Sequence, residues 1–508
     1  MNGVTRKDSH APTLRARRIG LLTQDEPIVL MRSDCHVCRS EGLASRARVM
    51  LTNAGGGEII ATLYQVDNDW LGVDEVGVSE NIWRRLALKP GEAIFTRHPP
   101  QLDSLADVRA RMYGRRLGAA AFSGIMRDIV RGRYADIHLA TFIAACSAFP
   151  LDLDEIKHLT GAMVEVGDRL SWSSVLVLDK HCVGGLAGNR TTPIVVAIAA
   201  SLGLTMPKTS SRAITSPSGT ADTMETLAPV DLDIAQMRRV VEREGGCIAW
   251  GGAVRLSPAD DTLIRIERAL DIDTEGQLIA SVLSKKIAAG ATHVALDLPI
   301  GPTAKVRTRE AGEALADRLS AVAGAFGLKT RCVLSDGTQP VGRGIGPALE
   351  AHDVLAVLQG SAGAPADLRA RAIEVAGAAL ELAGRAEPLH GAALAAETID
   401  NGSAWAKFQR ICEAQGGMRQ PGRAAQTHVW AAPRAGRITA INNRKISRLA
   451  KLAGAPEAKA AGVELHEKLG AVVEAGQPLA TIHAEARGEL DYALEYASAN
   501  ADMFTYED

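Results

Sequence analysis

The sequence has almost no imbalance of charge, with 57 Lys and Arg against 59 Asp and Glu and a formal net charge of −2 over 508 residues. That removes the electrostatic case for nucleic acid or an anionic membrane as the main partner, so any bound anion must be held by local groups. Long hydrophobic runs are also missing. The longest apolar stretch, residues 193–204, is too short to cross a bilayer, and the Arg-rich beginning of the chain has no apolar core of a secretory signal; the expected location is the cytoplasm. Cysteine is sparse: seven residues, an odd number scattered along the chain, exclude a disulfide framework and are expected to stay reduced. One CxxC brackets His36 between Cys35 and Cys38. No second Cys or His pair follows at zinc-finger spacing, so it reads as a strand end with buried thiols, and no metal is expected.

What is present divides the chain into four segments of a multidomain α/β and α+β protein. Residues 1–100 read as a small β domain, with strands at 28–31, 47–51, 58–65 and 93–96 broken by Gly-Gly-Gly, Asn-Asp and Pro-Gly turns. Residues 101–171 carry helical spacing, with Asp152 and Asp154 opening one helix. From 172 to 415 strands and helices alternate, which predicts a sheet covered by helices, with Ala-rich helices at its end. Strands are expected at 175–178, 247–250, 293–298 and 331–334. After a loop at 415–427, residues 428–508 read as a small α+β domain with strand texture at 429–441 and 470–482. A length of 508 residues suits about three domains, not one or two.

The most informative segment runs Asp179-Lys180-His181-Cys182-Val183-Gly184-Gly185, then Gly188-Asn189-Arg190-Thr191-Thr192-Pro193. An apolar strand ends in a charged cluster and a glycine turn, and Thr192 with Pro193 supplies a helix N-cap and a first-turn proline. Backbone N–H groups of such a loop converge on one point, and Lys180 adds a full positive charge, which suits a phosphate. It is not a Walker A loop. A second segment packs six hydroxyl side chains between Thr209 and Ser218 around Arg212, ahead of Gly219-Thr220-Ala-Asp222. Hydroxyls and a guanidinium are the donors that a phosphate or sugar phosphate needs. Asp222 and Glu225 read as the N-cap and third-position partner of a capping box in preference to metal ligands.

Together these two motifs resemble the signature regions of the thymidine and pyrimidine-nucleoside phosphorylases, from about residue 105 to the C-terminus. The extra N-terminal β domain and the wording around 188–192 and 211–216 look more like the AMP phosphorylase branch, and bacterial chains of this long form are assigned as type 2 thymidine phosphorylases. The resemblance implies phosphorolysis of a nucleoside to free base and pentose 1-phosphate, with phosphate as co-substrate and no cofactor. It implies phosphate contacts from Lys180, Cys182, Gly184, Gly185, Thr191, Thr192, Ser211 and Thr220, with His181 between the reacting groups. For the nucleoside it implies Gly185, Ser211, Arg212, Ala213, Ile214, Thr215, Ser216, Thr220, Ser281, Lys285 and Lys305, and Asp273 as proton donor to the departing base. Ser281 and Lys285 are four apart, hence on one helix face. The expected partners are a small nucleoside or nucleotide and phosphate, without nucleic acid or membrane, in a homodimer or higher homo-oligomer.

Two departures stand out. The family's serine after Asp-Lys-His is here Cys182, a weak thiol donor in place of a hydroxyl. The arginine that grips the pyrimidine has no matching position, although Arg265 and Arg268 are near. Three readings stay open beside thymidine phosphorolysis: an AMP phosphorylase, a magnesium-dependent phosphoribosyltransferase of the anthranilate type, and a non-catalytic nucleotide sensor.

Overall fold

The computed structural model describes residues 13–23, 26–213, 216–272 and 274–507. They form two compact units, the described residues up to 110 with 127–141, and those of 111–126 with 142–507. The division falls inside the helical stretch, so that the helices Ala119–Val130 and Asp136–Ala148 each contribute to both units.

The first unit contains a closed six-stranded barrel. Its strands are β1 (Thr13–Arg18), β2 (Ile28–Arg32), β3 (Arg48–Asn53), β4 (Glu58–Val66), β5 (Glu75–Val78) and β6 (Ala93–Arg97), joined in the order β1-β5-β2-β4-β3-β6. Alternate residues of β1 and β2 point inward, and Leu14, Val29, Met31, Val49, Leu51, Leu63, Val76 and Ile94 fill the interior. Four of these strands were legible; β1, with its sequence TLRARR, and the short β5 were not. The CxxC is a helix start and not a strand end. Cys35 is the N-cap of the helix His36–Glu41, its Sγ accepts the backbone N–H of Cys38 at 3.2 Å, and both thiols are buried as expected.

The second unit holds the helix-covered sheet. Strand β7 (Leu178–Cys182) runs parallel to β10 (His293–Ile300), which runs parallel to β11 (Lys329–Asp336). A parallel bridge from Val177 to Thr205 leads to the pair β8 (Met206–Ser210) and β9 (Gly246–Trp250). The parallel order is therefore β11-β10-β7-β8-β9. The predicted strand at 175–178 is corrected by three residues: Val175 is exposed, and the strand is the charged Leu178–Cys182 itself. Its first three residues are buried. The helix Thr192–Ser201, apolar on all sides, fills the core beside it together with Met206, Ile248, Leu380 and Phe408. The outer strand β9 is sealed by Gln415, whose amide accepts from the Ile248 N–H at 2.7 Å and donates to the Ile248 carbonyl at 3.1 Å.

Two small sheets, built from residues beyond Gln415 except for the strand Gly344–Ile345, pack with helices around Ile438, Ile446, Leu449, Ile482 and Phe504. One has the order β12-β15-β17-β13, from β12 (Gly344–Ile345), β13 (Gln426–Ala431), β15 (Gly462–Leu465) and β17 (Pro478–Ala484). The other is β16-β14-β18, from β14 (Gly436–Ile441), β16 (Val472–Val473) and β18 (Phe504–Glu507). The strand textures predicted at 429–441 and 470–482 each divide into two strands, parted by turns.

Gly188 lets the turn after β7 pass against the Val341 carbonyl. Its φ is +68°, and a Cβ there would run into that oxygen. Gly188→Ala should therefore destabilise the second unit by at least about 2 kcal/mol, read as a lower Tm in calorimetry.

Candidate active site

Strand β7 separates two chemistries by the alternation of its side chains. Lys180 and Cys182 share one face, Asp179 and His181 the other. On the first face Lys180 is buried, and its Nζ donates to Thr191 Oγ1 at 2.7 Å and lies 3.4 Å from Thr192 Oγ1. Burial pulls the Lys180 ammonium below its ordinary pKa. Cys182 Sγ accepts from Asn189 Nδ2 at 3.2 Å, and the same amide reaches Asp297 at 3.1 Å. Burial, reinforced by Asp297, pushes the Cys182 thiol up to about 12, so the thiol is neutral near pH 7.

The glycine turn delivers the chain to the helix Thr192–Ser201. The N-cap is Thr191, one residue earlier than predicted, and its side chain makes no capping bond because it is turned to Lys180. The helix start thus keeps its backbone donors available beside a buried ammonium. Gly185 has φ +81° and packs against the Lys305 backbone so closely that a Cβ would collide with it, which brings Lys305 to the glycine turn.

On the opposite face the carboxylate of Asp179 is buried between two lysines, Lys286 Nζ at 3.0 Å and Lys208 Nζ at 3.3 Å. Burial alone would raise its pKa, yet the two ammonium groups hold it below the ordinary value. The His181 imidazole is driven well below its usual value, first by burial and then by Lys286, Lys208, Lys285 and Lys180. Lys286 itself is lowered to about 7, chiefly by burial. Its neighbour Lys285 points elsewhere: its Nζ lies 2.5 Å from Asp260 Oδ2, which also accepts from Ser281 Oγ at 2.9 Å. Ser281 and Lys285 therefore do share one face of the helix Glu275–Ala288, held by one carboxylate.

The hydroxyl-rich loop is closed by Asp222. Its carboxylate accepts from the N–H groups of Ala213 at 2.6 Å and Gly219 at 2.9 Å. Gly219, and not Asp222, is the N-cap of the helix Thr220–Glu225; Asp222 stands at its third position, and Glu225 lies at the far end. Both carboxylates are faced by cations. Arg212 grips Glu225 with two bonds of 2.8 Å, touches Asp222 at 3.3 Å and stacks on Trp250 at 4.9 Å, while Lys459 lies 3.0 Å from Glu225. Among the described residues no group of three or more His, Cys, Asp or Glu could hold a metal. Ser211 is exposed, and Ser216 Oγ donates to the Ser218 carbonyl at 2.8 Å. Asp273, Ile214 and Thr215 lie outside the described residues.

Several residues escaped the sequence reading. Ser210, at the end of β8, is buried, and its Oγ has no hydrogen-bond partner among the described residues, a better placed hydroxyl than Ser211. Arg190 donates to Thr220 Oγ1 at 2.6 Å, to the Ser218 carbonyl at 2.9 Å and to Glu350 at 2.7 Å, and so ties the hydroxyl loop to the glycine turn. Lys208, Lys286 and Asp297 complete the buried set.

Comparison with known proteins bears on the family of the chain. Residues 174–405 match the model described as "Glycosyl transferase family, a/b domain", residues 108–167 its helical bundle domain, and residues 437–503 the "Pyrimidine nucleoside phosphorylase C-terminal domain". A protein of Chelativorans sp. (strain BNC1) named "Putative thymidine phosphorylase" is 63% identical, covering 98% of this chain and 97% of its own. The chain belongs to the thymidine and pyrimidine-nucleoside phosphorylase family. Relatives of the same name in Tolumonas auensis and Sphingopyxis alaskensis are 59% and 60% identical, over 98% and 97% of this chain and 98% and 96% of theirs. In fold, the chain is similar to anthranilate phosphoribosyltransferase of Saccharomyces cerevisiae, with a TM-score of 0.52 at 15% identity over 62% of this chain and 98% of that one.

The Arg212 grip holds Glu225 at a pKa of about 2, below the ordinary 4.5, with burial opposing. A carboxylate lowered on folding stabilises the protein fully above its unfolded pKa and loses that contribution as pH falls through the folded one. Glu225→Gln should lower stability by about 2 kcal/mol at neutral pH. The difference in Tm between the two chains should then shrink between pH 4.5 and about 2, as calorimetry across that range would show.

Proposed function

We propose that the chain catalyses phosphorolysis of a pyrimidine deoxynucleoside, thymidine and phosphate giving thymine and 2-deoxy-α-D-ribose 1-phosphate. The observation that carries this reading is the two-faced strand β7. Its Lys180 face, with the uncapped helix start and the glycine turn, suits phosphate. Its His181 face, where the Glu275–Ala288 helix sets Lys286 on Asp179, is the side assigned to the base, with Ser281 and Lys285 of the same helix as the expected contacts. The family membership and the names of its relatives support the substrate class.

In this reading a phosphate oxygen attacks C1′ while the bond from C1′ to the base nitrogen breaks, and the bonding electrons leave with the pyrimidine. Positive charge develops on the sugar and negative charge on the base, so prepositioned donors carry the catalysis. Lys180, the 184–185 turn, Thr191, Thr192, Ser210 and Thr220 would hold phosphate. Lys285 and Ser281 would steady the charge growing on the base carbonyl, with His181 between the two reactants and Asp273 as the proton donor. The cytoplasm and a homo-oligomeric assembly fit such a salvage reaction.

A nucleoside 5′-monophosphate needs a second phosphate cradle, and the state of Arg212 weighs against one. Its guanidinium is committed to Glu225, Asp222 and the Trp250 ring, and Ser216 to a backbone carbonyl. The carboxylates that a magnesium-dependent transferase would offer at 222 and 225 face Arg212 and Lys459.

Incubation with thymidine should release thymine only when phosphate is present, and AMP should release little adenine under the same conditions; chromatography of the free bases decides between them. Absence of thymine release under all phosphate concentrations would overturn the reading. Lys180→Ala should lower kcat/KM for phosphate by about a hundredfold, through loss of an ion-assisted contact to the nucleophile. Lys285→Ala should reduce thymidine turnover more than Arg212→Ala does, as steady-state kinetics on the two variants would measure.

A further inference from the structure

Arg190 and Thr191 are consecutive residues of the turn that leads from β7 into the helix Thr192–Ser201, and each takes part in a bond between a cation and a hydroxyl. The Thr191 oxygen accepts from Lys180 Nζ at 2.7 Å, and the Thr220 oxygen accepts from Arg190 Nη1 at 2.6 Å. A guanidinium only donates, so its N–H forces the threonine's own proton to the far side of the oxygen, where it needs an acceptor. Among the described residues Thr220 has no such acceptor, and its side chain is only partly buried. Neighbouring hydroxyls of the same loop spend their protons on the backbone: Ser216 donates to the Ser218 carbonyl at 2.8 Å and Ser218 to the Gly219 carbonyl at 3.2 Å. Thr220 alone of these three is held back from doing so.

The guanidinium that holds it is fixed on three sides. Its Nε donates to Glu350 Oε2 at 2.7 Å and its Nη2 to the Ser218 carbonyl at 2.9 Å, which leaves Nη1 aimed at Thr220. Glu350 comes from the helix Pro347–Leu358, and the same carboxylate oxygen accepts from Thr223 Oγ1 at 2.8 Å. Only 11% of the Arg190 side chain and 2% of the Glu350 side chain are exposed. A planar fork clamped in this way has one orientation. The carboxylate also offsets the charge of the guanidinium, so the pair offers an anion little net attraction of its own, and its influence on a ligand passes through the hydroxyl that it touches.

We propose that Arg190, clamped by Glu350, is a positioning residue for the phosphate co-substrate: it takes the Thr220 oxygen and so presents the Thr220 proton to the anion as a fixed donor. This rests on the phosphorolytic reading, which sets phosphate against Thr220 and the Lys180 face of β7. Without Arg190 the Thr220 hydroxyl is free to turn to a backbone carbonyl as its neighbours do, and phosphate must then compete for the proton.

The test is calorimetric titration of the full chain with inorganic phosphate, which needs no turnover, beside steady-state kinetics on thymidine. Thr220→Val and Arg190→Met should each raise the phosphate Kd about tenfold, the effect of one hydrogen bond to a charged group. The double variant should also lose about tenfold, because both changes remove the same donor. Thr220→Ser, which keeps the hydroxyl, should stay within about twofold of the unaltered chain. KM for phosphate should follow Kd while KM for thymidine stays level. An unchanged Kd in Thr220→Val or in folded Arg190→Met, losses that multiply to about a hundredfold in the double variant, or an equal rise in both KM values overturns the proposal. If Arg190→Met does not fold, Arg190→Lys, which keeps the charge and loses the fork, replaces it under the same criteria. A chain that shows this pattern of phosphate binding yet releases no thymine would refute the phosphorolytic reading and leave the clamp standing; thymine release without the pattern would do the reverse.

Discussion

A buried carboxylate held between two buried ammonium groups fixes the centre of the second unit. Asp179 cannot leave its place without stranding Lys208 and Lys286, nor can either lysine be removed without unbalancing the others. That constraint ties β7, β8 and the Glu275–Ala288 helix together where apolar packing alone would permit sliding. It also sets the register of β7, because a shift by one residue would carry Asp179 to the Thr191 side and Lys180 into the lysine pair. The placing of Lys180 and His181, adjacent residues, on opposite faces of β7 follows from that register.

The hydroxyl loop depends on a second set of charges. Asp222 gathers the backbone of 213 and 219, Arg212 gathers Asp222 and Glu225, and Arg190 joins Thr220 to Glu350. These contacts account for an arginine in a hydroxyl-rich motif that is turned to carboxylates.

Much of this was legible in the sequence because glycine, proline and hydroxyl residues announce turns and helix starts directly. The glycine turn at 184–188, the helix after Pro193 and the shared helix face of Ser281 and Lys285 follow from spacing alone. Strand β7 was placed too early because aliphatic residues at 175–178 look like a strand, whereas Leu178–Cys182 carries charges that only distant partners make tolerable inside. Lys208 and Lys286 were illegible for the same reason: a lysine in sequence looks like a solvated charge, and its burial depends on Asp179 reaching it from another element. Ser210 and Ser211 are adjacent hydroxyls, and only the pleat of β8 tells which is enclosed. Strand β1 escaped because a barrel with one wet surface lets every second position be arginine.

The closure of the N-terminal barrel bears on how that unit can meet other molecules. Six strands joined in a ring leave no row of unpaired backbone donors and acceptors along a strand edge. A neighbouring chain therefore cannot extend its sheet or be extended by it, and edge-to-edge polymerisation is closed to this unit. Recognition there is confined to side chains and turn tips, which can change without disturbing the ring that carries them.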